Sequence, residues 1–440
     1  MSSYFLTNGE KGLAVPIDIE KYGDGRMSNF IASMKHHAKT AWGIQGFPII
    51  MVINIFLGIS HAFILPFNSL FGIDEVGMSN TTFGIFMLVS SLCGIVLSTA
   101  IAKLSDRVSD RKFILILCAV AGIIGYMGFA YSRNYYVLLV FSAVFLGIAS
   151  STFSQMFAIG REALTRSEVP AKQVPLYMNI LRTIFALSWT VGPAIASYVL
   201  LFMGFTGLFV VAATCNAIVA IIALLFLHRR TEAAGAKSEK ANIPLKKIVF
   251  QPTIFINLVA FTFISAATTL SSMNMAQFVT KVLGGGKEDI GIIFSIPPIF
   301  EIPFMLGFGY MATRMKSDRL IRLGAVLALI YFCLLFFANS TWHIFSVQIL
   351  SAAYISITSG IAITYFQDFL PEMPGTATNL YSNSSKAGNM LGFVLFGLIA
   401  DAFGYRNVYL TCAIFTLGAV VLLFGLNRAK RVSNQASVSG

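Results

Sequence analysis

Charge is what this chain has least of. Only 11% of its 440 residues are Asp, Glu, Lys or Arg, against 56% hydrophobic, where soluble domains carry about 25% charged residues. That ratio excludes a single soluble core wrapped in a solvated surface. Cysteine and histidine are also scarce, at five each. Cys93, Cys118, Cys215, Cys333 and Cys412 all fall within apolar runs. None stands at metal-ligand spacing or offers a loop disulfide pair, so each is expected to be a small packing residue. With no HExxH pair, nucleophile elbow or Cys/His cluster, an enzyme has no candidate site, and no metal or cofactor is expected. Residues 1–45 lack a continuous apolar segment, so no signal peptide is expected there. They read as a cytoplasmic extension with an interfacial helix near 27–42.

What the chain does have is apolar runs close to the ~20 residues that cross a bilayer as a helix. Six fall near 46–70, 80–102, 113–131, 135–160, 175–200 and 205–227. Six more fall near 252–280, 290–312, 320–338, 342–367, 376–400 and 406–427. The expected architecture is an all-α membrane protein of twelve transmembrane helices, with six-helix bundles at 46–227 and 251–427. Residues 228–250, rich in Ala, Gly, Lys and Glu, read as a solvated linker between them, and 428–440 as a cytoplasmic tail. Gly284-Gly285-Gly286 lies between two spans and not between a strand and a helix, so it predicts a turn and not a phosphate cradle.

The net charge of +12 is placed for orientation and not for nucleic acid. If both termini face the cytoplasm, 25 of the 31 Lys and Arg lie in cytoplasmic segments. Four (Arg133, Lys281, Lys287 and Arg406) lie in the opposite loops. Such a bias predicts N-in, C-in topology.

A repeat supports two homologous halves. Glu168, Pro170, Leu176, Tyr177, Asn179 and Arg182 recur 204 residues later as Glu372, Pro374, Leu380, Tyr381, Asn383 and Lys386. The repeat places one cation inside each half, about two turns into a span, or roughly 10 Å deep at 1.5 Å per residue. Paired bundles around a central site are a common plan for secondary transporters.

Glu301 is the one acid near the middle of a predicted span, in Pro297-Pro298-Ile299-Phe300-Glu301-Ile302-Pro303. An acid there costs several kcal/mol unless protonated or paired, so Glu301 is the candidate proton carrier and Arg182 its electrostatic partner. The alternative is a permanently protonated packing group. For Arg182 and Lys386 the alternative is snorkelling to the interface. Spans 1, 4, 7 and 10 each carry uncharged polar faces. Asn54, His61 and Asn68 recur at seven-residue spacing in span 1, and Ser351, Thr358 and Tyr365 in span 10, with Gln348 one turn before. Span 4 offers Ser151 and Gln155, span 7 Asn274 and Gln277. With Trp189 near them, such faces would suit a neutral, hydroxyl-rich solute. The same residue types also tie helices together.

Two loops carry further signals. Leu104, Asp106 and Arg107 in one, and Gly309, Ala312 and Arg314 in the other, resemble the cytoplasmic loop signature of the major facilitator superfamily. Ala102, Ser109 and Thr313 depart from it. A carboxylate such as Asp106 can cap a helix N-terminus, with Arg161 and Glu162 completing a charge network. Phe157-Ala158-Ile159-Gly160-Arg161-Glu162, Arg182 and Leu187-Ser188-Trp189-Thr190-Val191-Gly192-Pro193 resemble, more narrowly, the sugar efflux transporter family. So do Glu301-Ile302-Pro303 and Lys386-Ala387-Gly388. The likeness covers roughly 46–427. Gly192-Pro193 resembles the exporter signature, although Ala196 and Ser197 replace its later glycines.

This resemblance implies proton-coupled export of sugars or glycosides by alternating access, from the cell membrane, with no nucleic-acid partner and as a monomer. It implies a sugar site on spans 1, 4, 7 and 10 with Arg182, Trp189 and Lys386. Asp106, Arg107 and Arg314 would serve the inner gate, with Arg161 and Glu162. A multidrug/proton antiporter, or proton-coupled uptake of a small polar solute, stays open at this stage.

Overall fold

The computed structural model describes residues 40, 42–105, 110–167, 169–170, 173–227, 249–371 and 373–436. Asp106, Arg107, Glu168, Glu372, most of the 228–250 linker and nearly all of the N-terminal extension lie outside the described residues. Those described are helical almost throughout, and eleven of the helices are long and apolar enough to cross a bilayer. One, Val174–Phe226, is broken at Gly204, whose backbone (φ 64°, ψ −168°) is not helical. Taken as two spans, it brings the number to twelve.

In chain order the spans are α1 Phe47–Phe67, α2 Asn80–Ser105, α3 Arg111–Tyr131 and α4 Tyr135–Arg166. Next come α5 (174–203) and α6 (205–226), α7 Pro252–Lys281, α8 Lys287–Arg314 and α9 Ser317–Phe336. Then follow α10 Thr341–Phe369, α11 Pro374–Phe403 and α12 Tyr405–Ala436. The last helix runs nine residues past 427, where the apolar run stops. Gly404 (φ 80°, ψ 165°) breaks α11 from α12 much as Gly204 breaks α5 from α6. Only glycine adopts that backbone without steric cost, so each half turns between its last two spans at a glycine. Gly284 also has positive φ (68°) and makes the expected turn before α8.

The packing differs between the two ends of the molecule. At the end bearing the termini, each half has its own apolar core. One is built around Phe47, Ile50, Tyr177 and Leu181, the other around Phe261, Ile321, Ile357 and Phe366. At the distal end a single cluster runs through both halves, from Phe63, Phe83 and Phe209 to Phe278, Phe396 and Tyr409. The two bundles are therefore fused distally and separate toward the termini.

Glycines make the distal contact possible. A Cβ on Gly84 of α2 would lie 2.4 Å from the Phe393 carbonyl of α11, and one on Gly397 would lie 2.5 Å from Thr81 Cα. On α8, a Cβ at Gly291 would lie 2.7 Å from the Pro193 carbonyl of α5. Small residues let membrane helices approach this closely. Polar bonds seal the same end. Asp401 accepts from Asn80 Nδ2 (2.7 Å), Thr81 N (2.8 Å) and Thr81 Oγ1 (2.6 Å), so a carboxylate of one half caps a helix N-terminus of the other. Lys281 pairs with Asp74 at 3.0 Å, and Gln277 donates to the Ser69 carbonyl and to Asp74.

Gly388 makes a different contact, within one half. A Cβ there would lie 2.4 Å from the Thr262 carbonyl and 2.6 Å from Ser265 Cβ, both on α7. Gly388→Leu is expected to destabilise the second bundle by about 1–3 kcal/mol through overpacking, seen as a lower melting temperature in detergent. An unchanged melting temperature would count against this tight α7–α11 seam.

Candidate functional site

Two cavities lie beneath the distal seal. The first, about 210 Å3, sits mainly in the second half. Its polar wall is Glu301 of α8, Thr268, Ser271 and Ser272 of α7, Tyr331 of α9, and Gln348, Ser351 and Tyr354 of α10, with Trp189 of α5 crossing from the first half. Gln348 accepts from the Tyr331 hydroxyl at 3.5 Å. Ser356 donates to the Glu301 carbonyl at 3.2 Å, fastening α8 to α10 at the depth of the carboxyl. Although Pro297, Pro298 and Pro303 each remove a backbone donor, α8 remains one helix.

The second cavity, about 220 Å3, sits in the first half. Phe71, Phe83, Phe86, Phe129 and Phe209 dominate its wall, and Phe393 of α11 crosses from the other half. His61, Asn68, Ser90, Ser91, Tyr126 and Ser142 supply its polar groups. His61 Nδ1 lies 2.9 Å from the Leu57 carbonyl. A carbonyl only accepts, so Nδ1 carries the proton and Nε2 is left to meet a solute.

Several polar residues anticipated at the site are tied into the helix packing. Asn54 is buried and donates to the Leu181 carbonyl of α5. Gln155 accepts from Ser105 Oγ at 2.7 Å, joining α4 to α2. Asn274 donates to the Tyr405 carbonyl at 2.8 Å, and Gln277 belongs to the distal seal. None of these four lines either cavity. Conversely, Tyr331, Tyr354 and Thr268 line the first cavity, although their spacing marks no polar face in the sequence. Tyr331 and Tyr354 pack with ring centroids 5.4 Å apart.

Arg182 and Lys386 are exposed, and among the described residues neither forms an ion pair with Glu301. Their positions match. Arg182 is eleven residues before Pro193 on α5, and Lys386 eleven before Gly397 on α11. Eleven residues are close to three full turns. Each cation therefore sits on the helix face that meets the other half distally, at a level where the halves have parted. Glu301 is ten residues beyond Gly291, which packs against Pro193. Counted from that shared contact, Arg182 and Glu301 lie at nearly the same depth, about 15 Å toward the termini.

At the start of α3, Arg111 Nε pairs with Glu162 Oε1 of α4 at 2.7 Å, and Asp110 caps the helix by accepting from Lys112 N at 3.1 Å. Arg161 is exposed. Arg314 stacks its guanidinium 4.7 Å from the Tyr310 ring centroid. The four distal cations have structural partners. Arg133 binds Glu75, Lys281 binds Asp74, Arg406 caps the Phe336 and Ala338 carbonyls, and Lys287 lies over Phe205. No group of three His, Cys, Asp or Glu able to hold a metal occurs among the described residues.

Comparison with known proteins agrees with this construction. The Major Facilitator Superfamily model matches residues 50–386 and again 258–439. A Deinococcus radiodurans protein described as a sugar efflux transporter is 31% identical over 384 residues, covering 86% of this chain and 97% of that one. Sugar efflux transporter A of Escherichia coli is 28% identical, covering 84% and 94%. Among solved structures, the nucleoside transporter NupG superposes with a TM-score of 0.72 at 13% identity, covering 86% of this chain and 97% of NupG. The chain belongs to the major facilitator superfamily, a multi-pass membrane transporter family, and resembles its sugar efflux transporters.

Proposed function

We propose that this protein exports sugars or glycosides across the inner membrane by alternating access, driven by protons. Both termini face the cytoplasm, so the described conformation is open inward and sealed outward. The observation that carries the reading is the Glu301 cavity. One carboxyl without an ion-pair partner among the described residues stands beside Trp189, Tyr331, Gln348 and Ser351. Aromatic faces and uncharged hydrogen-bonding groups suit a pyranose ring, and the carboxyl supplies the proton site. When the inward end closes, α5 and α8 approach there, bringing Arg182 toward Glu301 at equal depth. An arginine beside the carboxylate favours its ionised form, so the pair holds the inward end closed until a proton from the distal side neutralises Glu301. The inward end then reopens, and the proton leaves to the cytoplasm. The sugar and the proton then bias one two-state equilibrium.

The phenylalanine-rich wall of the second cavity favours a second reading, a proton-driven exporter of lipophilic compounds. The deciding measurement uses the protein reconstituted in liposomes with an acidic lumen. Labelled lactose or a labelled glucoside should accumulate in the lumen as protons leave. Movement of a lipophilic cation without any sugar flux would reject the sugar reading and establish the second.

A further inference from the structure

We infer that Leu65 is the specificity-determining residue that makes one two-ring site out of two one-ring cavities. This rests on the sugar reading above. Among the described residues Leu65 alone lines both cavities. Each cavity by itself lies below the ~300 Å3 at the small end of ordinary ligand sites, while the two together exceed it. A space of that size suits a single pyranose ring and not two.

Local chemistry explains why a leucine stands at this junction. Regular α-helix ends at Ile64, and Leu65–Phe67 forms a tight 3-10 turn followed by a widened π turn at Leu70–Glu75. Pro66 lacks the amide that would bond the Ala62 carbonyl, so the helix cannot continue unchanged. The turn leaves Leu65 37% exposed while its neighbours Ile64 and Phe67 are buried. An apolar side chain standing clear of the packing, between two pockets bearing hydrogen-bonding groups, acts as a partition. It offers an occupant no polar contact of its own.

The lobes differ in chemistry. On the Glu301 side the wall carries Gln348, Ser351 and Tyr331, able to read the hydroxyls of a sugar ring. On the His61 side phenylalanines predominate, suited to the face of a second ring. The glycosidic link of a two-ring solute would cross over Leu65. Each lobe also borrows wall from the opposite bundle, the first from Leu65 and Trp189, the second from Phe393. A solute filling both lobes therefore touches both halves twice.

The test is a ratio measured in liposomes for wild type, Leu65→Phe and Leu65→Ala, namely the rate of lactose transport over that of a one-ring methyl glycoside. Leu65→Phe adds bulk where the link between two rings would cross and should lower the ratio at least tenfold. Leu65→Ala should admit a trisaccharide that wild type excludes. Sugar transport by wild type with the ratio unchanged in Leu65→Phe overturns the role of Leu65 and leaves the sugar reading standing. Absence of any sugar transport by wild type overturns both. Should Leu65→Ala fail to fold, the Leu65→Phe ratio decides alone.

Discussion

Glu301→Gln should eliminate proton-driven sugar accumulation and leave sugar exchange intact. A difference of one pH unit is worth about 1.36 kcal/mol, or tenfold in concentration, per coupled proton. With the lumen one unit more acidic than the bath, wild type should approach about a tenfold sugar gradient per proton exchanged. The Gln variant should stop at equal concentrations. Gln keeps the shape and hydrogen-bonding capacity of the carboxyl but cannot carry a proton. Labelled sugar should therefore still exchange against unlabelled sugar through the wall of Trp189, Gln348 and Ser351. Accumulation at the wild-type level in the variant would remove Glu301 from coupling. The alternative role, a neutral carboxyl used only for packing, predicts that outcome.

The second large effect concerns the distal seal. Asp401 gathers three hydrogen bonds from the first residues of α2 at an exposed position, where solvent competition leaves about 1–2 kcal/mol in all. Losing that much shifts a two-state ratio by roughly 5- to 30-fold. Asp401→Ala should therefore enrich the conformation open at the distal end. Gly84→Val should act in the same direction, because the added Cβ would meet the Phe393 carbonyl. A Ser272→Cys reporter in a cysteine-free background, lying on the wall of the Glu301 cavity, would read both. A membrane-impermeant thiol reagent applied from the distal side should label it faster in each variant. Equal labelling in all three proteins would show that these contacts do not hold the seal. Gly388→Leu, buried within one bundle, should lower stability without this gain in labelling. The two kinds of close-packed glycine are thereby separated.

Part of the site was legible along the chain. Glu301 stands out because a carboxyl inside an apolar run demands protonation or a partner, and the structure sets it on a cavity wall. Arg182 and Lys386 stand out because they recur at one offset, and they occupy matching registers on α5 and α11. His61, Trp189 and Gln348 also reach cavities. Asn54, Gln155, Asn274 and Gln277, chosen on the same grounds, bond neighbouring helices or the seal. Asn54 and His61 are seven residues apart and share a face of α1, yet α5 closes over one and a cavity opens at the other. Periodicity gives the face, and only the neighbouring helix decides what that face meets.

What the amino-acid sequence determined by itself is the set of spans and their pairing into halves. A segment in lipid must satisfy its own backbone hydrogen bonds and be about 20 apolar residues long. Both demands are local and leave their mark on composition. The glycine breaks at 204 and 404 are local in the same sense. Tertiary structure alone decided which end is sealed, which polar groups line the cavities, and that Leu65 stands between them. Those outcomes depend on helix rotation and on contacts between residues hundreds of positions apart, such as Thr81 with Asp401. An Asn or Gln in lipid is satisfied equally by a solute or by a neighbour's carbonyl, and its position along the chain does not distinguish the two.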